Sequence, residues 1–114
     1  MTPEEQAAAL AEFPELRRLM DLRDAGWVFM TIVNDGEIIE VRGVHTWPEG
    51  WADAILVRYV TDAAALRCDD TAGIVWQRDG GLVEVVDALL ALPPPSDPNA
   101  PRLVRGAAPK LWTS

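Results

Sequence analysis

Leu10, Phe13, Leu16, Leu19 and Met20 recur at helical spacing behind Thr2-Pro3-Glu4-Glu5. In that opening Thr2 is placed to cap a helix, Pro3 suits the first helical position and Glu5 completes a capping box. Pro14 has no N–H and clashes with the preceding turn, so it kinks this helix or starts a second one, which ends near Ala25-Gly26. Residues 27–33 then turn β-branched and aromatic, with apolar side chains on both faces. They predict a central strand covered on both sides or facing a partner. Asn34-Asp35-Gly36 tolerates the positive φ of a tight turn and predicts a hairpin whose return strand covers 37–45.

Trp47-Pro48-Glu49-Gly50-Trp51 breaks the alternation and reads as a loop before a third strand over 54–61. Over 62–70, Ala63-Ala64-Ala65-Leu66 favours helix, while Leu66 and Cys68 alternating with Arg67 and Asp69 favour a strand; the strand is preferred. A further short strand is expected over 73–78. Asp79-Gly80-Gly81 then turns the chain into a helix over 82–92, with Leu82, Val85, Val86, Leu89 and Leu90 on its apolar side. Pro93-Pro94-Pro95 stops that helix, and residues up to Pro101 read as an extended, polyproline-like wrap. Leu103-Val104 and Leu111-Trp112 are apolar enough to dock back. The expected fold is therefore α+β: an antiparallel meander of four to five strands, with an N-terminal and a C-terminal helix on one face. It divides into a domain over 1–92 and a Pro-rich segment over 93–114, partly docked on it.

Composition fits one ordinary core, at 114 residues with 49% hydrophobic and 25% charged side chains. Charge narrows the partners. A formal net charge of −8 repels a phosphate backbone, so nucleic acid is not expected, whereas a basic protein or simple solubility fits. One cysteine, Cys68, excludes an internal disulfide and points to the cytoplasm. The acidic start predicts no export leader, and no apolar stretch approaches the roughly 20 residues of a membrane span.

Catalytic chemistry finds little support. The only serines are Ser96 and Ser114, and a Cys68–His45 pair lies in no recognisable motif. One Cys and one His are too few for structural zinc. Asp69-Asp70 lacks the ligand spacing of a calcium loop, and Arg78-Asp79-Gly80-Gly81 lacks a phosphate-cradling one. No metal and no cofactor is expected.

Binding features are richer. Arg42, Arg58, Arg67 and Arg78 fall one per strand and predict a row; Arg42 and Arg58 would share the outer sheet face with Ile38, Val44, Leu56 and Val60. Such a face suits a protein partner or a homodimer, unless Glu40 and Asp69 absorb the arginines in cross-strand ion pairs. Trp47 and Trp51 offer a second contact point, with Trp27 and Trp76 expected in the core. His45 and Tyr59 are expected at one end of the sheet. With Asp70 they would line the pocket of the alternative reading, a small enzyme or small-molecule binder with its site between sheet and helices.

The run Gly43-Val-His-Thr-Trp-Pro-Glu-Gly-Trp-Ala-Asp-Ala, with Gly73-Ile-Val-Trp-Gln-Arg and Val83-Glu-Val-Val-Asp-Ala-Leu-Leu-Ala-Leu-Pro, resembles small uncharacterised α+β proteins of high-GC actinobacteria. The resemblance covers most of the chain and implies a bacterial cytoplasmic setting, with no activity or ligand attached. The element order is also similar to secretion-chaperone-like and immunity-type binding proteins. Together these readings lead to a non-catalytic protein-interaction domain.

Overall fold

The computed structural model describes residues 2–4, 11 and 13–107. Six strands form one antiparallel sheet in chain order: β1 (Val28–Asn34), β2 (Glu37–Thr46), β3 (Ala52–Tyr59), β4 (Asp62–Cys68), β5 (Gly73–Gly80) and β6 (Gly106–Ala107). Two helices, α1 (Arg17–Asp24) and α2 (Leu82–Ala91), pack on one face of it. The architecture is thus α+β with a meander sheet.

Pro14 does not kink a continuous helix; it opens a 3-10 turn, Pro14–Leu16, that leads into α1. The onset expected at Thr2 to Glu5 lies largely outside the described residues, of which Pro3, Glu4 and Ala11 are helical. The hairpin forms as expected, with Asp35 at φ 53° and Gly36 at φ 78°. Residues 62–68 are strand. β1, however, is an edge strand and not a central one. Its apolar side chains reflect an open surface.

The core explains the layering. Leu82, Val85, Val86 and Leu89 of α2 and Leu22 of α1 close over Ile55, Val57, Ala63 and Ala65. The alanines keep the sheet thin beneath the helices, so α2 approaches closely. Trp27 is buried in this cluster and Trp76 packs against it. Gly43 allows a second close approach: a Cβ there would stand 2.4 Å from Phe29 Cε1, so the Phe29 ring lies across the glycine.

The segment after α2 is not an extended wrap. Successive turns close through Asp97 N–H to Pro94 O and Ala100 N–H to Asp97 O, and Ala100 is buried. Arg105 N–H then donates to Ile74 O, and β6 adds a sixth strand beside β5. Val104 lies against Gly73, while Leu103 is exposed. Leu111 and Trp112 lie outside the described residues. No described helix is long and apolar enough to cross a membrane.

Cys68 is buried with Ala54, Leu66 and Ile74 on the face opposite the helices. Burial first, then the charges of Asp69 and Asp53, push its thiol pKa up. The folded chain thus holds this proton more tightly than the unfolded chain. The resulting stability is present below the unfolded value of about 8.5 and is lost as pH rises through the folded one. Native protein at pH 8 should react with a thiol reagent more slowly than urea-unfolded protein, since the thiolate is the reactive form and the folded chain buries the thiol and disfavours its ionisation. Equal rates would place Cys68 at the surface.

Candidate interaction surface

Register fixes what each face of the sheet carries. Val28 pairs with Val44, and Met30 with Arg42, which in turn faces Leu56. These side chains lie on the face away from the helices, the outer face. Over β3 to β5 the apolar side chains of that face, Ala54, Leu56, Leu66, Cys68 and Ile74, are all buried, and what it exposes is polar, as at Gln77 and Asp79. Over β1 and β2 it is open, with Val28, Met30 and Val44 exposed by 68%, 51% and 40%. Only half of the expected open face exists.

Beside this apolar strip stands an ionic triad. Glu40, 8% exposed, accepts from Arg42 Nε at 2.5 Å and from Arg58 Nε at 3.3 Å. Two guanidinium charges around one carboxylate leave a local charge of +1 on a chain of −8. Both bonds use Nε, so among the described residues the Nη donors remain available for an acceptor from elsewhere.

The expected row of arginines does not form. A bulge at Ile39 pairs Val33 with Ile38 while Ile32 pairs with Glu40, which turns Ile38 away from the face of Arg42. Val60 packs into the helix-side core. Arg67 and Arg78 also belong to the helix side. Arg78 pairs with Glu84 in the first turn of α2. Arg67 is fully buried, donating to both Asp53 oxygens at 2.6 and 2.9 Å and to Pro93 O at 2.5 Å, with its Cζ 5.6 Å from the Trp47 ring centre.

His45 belongs to this inner cluster, stacked on Trp27 with 6.0 Å between centroids and edge-on to Trp47 at 4.5 Å. Tyr59, 71% exposed, stands six residues beyond Asp53, the cross-strand partner of His45. At about 3.4 Å per residue that is roughly 20 Å along β3, so His45 and Tyr59 occupy opposite ends of the sheet. Asp70 sits by Gly50, at the His45 end. The three do not line one pocket, and tightly packed apolar side chains fill the space between sheet and helices. Among the described residues, Asp69 makes no pair with an arginine. Its Oδ1 accepts from Thr71 N–H, Thr71 Oγ1 and Gly73 N–H, which closes the β4–β5 turn and pulls its pKa down.

Trp51 lies apart from the arginines of the outer face. With Trp47, Pro48 and Glu49 it borders a cleft of about 370 Å³ whose far wall is Pro95, Ser96 and Arg102. Among the described residues, Trp47 Nε1 is buried without a hydrogen-bond partner. The Asp53–Arg67 pair was missed from sequence, although a signal existed. Asp53 shares the parity of Ile55 and Val57, and Arg67 that of Ala63 and Ala65, so both fall on the helix-covered face.

Compared with protein-family models, curated proteins and solved structures, the chain matches none. The surface itself carries the functional argument.

Proposed function

We propose that the protein is a non-catalytic binding module of the bacterial cytoplasm, of adaptor, chaperone-like or immunity type, that holds another protein against the β1–β2 half of its outer face. One observation carries this reading: Val28, Met30 and Val44 stand exposed beside the Arg42–Glu40–Arg58 triad. Interface centres combine apolar surface with arginine, and an apolar strip on a soluble surface gains from cover. The unused Nη donors suit a partner presenting carboxylates or backbone carbonyls.

A photo-crosslinking side chain at Val44 should capture one protein in cells that express the chain natively, and Arg58→Glu should weaken that capture at least about tenfold, the scale of a lost interfacial charge contact. The same probe at Asp87, on the helix side, should capture nothing. Equal capture from both positions, or capture indifferent to Arg58→Glu, would overturn the assignment.

The cleft beside Trp51 supports a second reading, a small-molecule ligand, because its volume falls within the range of about 300 to 1,000 Å³ typical of ligand sites. Such a ligand would change Trp51 and leave Val44 untouched.

A further inference from the structure

Edge strands of natural sheets are short, charged, broken by proline or bulged, because their free N–H and C=O groups otherwise recruit another strand. β6, at one edge, is two residues long. β1, at the other, is seven residues long and has no charge, proline or glycine anywhere from Val28 to Asn34. The sheet's irregularity near this edge places its extra residue, Ile39, in β2, so β1 itself runs unbroken. Among the described residues, only β2 hydrogen-bonds to the β1 backbone. Among the described residues, nothing protects this edge.

We propose that β1 is a self-association edge: two copies pair their β1 strands antiparallel about a two-fold axis at Thr31, joining two six-stranded sheets into one. The sequence of β1 suits itself as a partner. About Thr31, Met30 faces the second copy's Ile32, Phe29 faces Val33 and Val28 faces Asn34, so apolar side chains meet across the join and no like charges are opposed. The strand ends also complement each other. Asp35 and Glu37 follow β1, while Arg23, exposed and without an ion pair among the described residues, closes α1 just before it. An antiparallel join sets the acidic end of each copy beside the Arg23 end of the other. Asp24 offsets part of that attraction, so the backbone ladder is the main contribution. The join rests on main-chain groups of β1 and meets the proposed partner surface only along Val28 and Met30, leaving Val44, Arg42 and Arg58 on β2 and β3 open, so either assignment can fail without the other.

Light scattering across a concentration series decides the matter. Wild-type protein should approach twice 12.5 kDa, more readily at higher salt, where repulsion between two chains of −8 is screened. Thr31→Lys sets two ammonium groups face to face at the axis. It should return the mass to 12.5 kDa while circular dichroism stays that of the folded protein. In a Cys68→Ala background, Thr31→Cys should oxidise to a covalent dimer, because opposed residues of an antiparallel pair have Cβ atoms about 5 Å apart; Asp87→Cys should not. A wild-type mass of 12.5 kDa at every concentration would overturn the proposal. So would a dimer that survives Thr31→Lys and fails to crosslink through Thr31→Cys.

Discussion

Asp53→Ala should lower the unfolding free energy by about 3 to 5 kcal/mol, because it strands a buried guanidinium without its counter-charge. Arg67 is fully buried, and both of its bonds to Asp53 disappear together; among the described residues, the Pro93 carbonyl and the Trp47 ring are the partners that remain to the charge. At about 5 °C per kcal/mol for a domain of this size, the melting temperature should fall by roughly 15 to 25 °C. The double replacement Asp53→Leu with Arg67→Met should cost far less than Asp53→Ala, since both desolvated charges leave together. Urea denaturation of the two variants beside wild type separates the causes. If the double variant is as weak as Asp53→Ala, shape and not charge sustains this corner, and if Asp53→Ala matches wild type the pair is open to water.

Leu22→Ala is the second large effect, at about 2 to 5 kcal/mol for emptying a buried leucine site. The sequence of α1, Arg-Arg-Leu-Met-Asp-Leu-Arg-Asp, is mostly charged, and Leu22 is its only buried residue. Eight residues are too few for a helix to persist alone in water. Leu16 and Leu19 assist only at the margin of the core. The substitution should therefore release α1 locally as well as weaken the whole. Hydrogen exchange should show α1 amides losing protection by a larger factor than those of α2. Equal loss in both helices would mean that α1 and the sheet open as one unit.

Legibility from sequence followed the range of the interactions involved. Asn34-Asp35-Gly36 and the apolar stripe from Leu82 to Leu89 are local signals, and both elements formed where those residues placed them. Alternation decided correctly for strand over 62–68 against the helix propensity of three alanines, because Ala63 and Ala65 serve as thin flooring beneath α2. The arginine row failed on long-range facts. One extra residue at Ile39 flips Ile38, and the parity of β4 relative to β3 sends Arg67 inward to Asp53. The apolar character of β1 was visible, yet an uncharged strand reads alike whether it lies at the centre of a sheet or at its edge. Strand order settles that, and no local window contains strand order.

The bond from Arg67 to the Pro93 carbonyl ties the middle of the chain to a residue just past the last helix. During synthesis the interior is therefore unfinished until Pro93 has emerged, and the sheet gains its final edge only with Gly106 and Ala107. A single proteolytic nick between Leu92 and Arg102 would reach the same corner from outside. It would cut neither Asp53 nor Arg67, yet it would free the carbonyl that helps seal them in. The turn-rich stretch after α2 is thus a closure for the interior, and its integrity reports on a charge pair that lies in two strands far upstream.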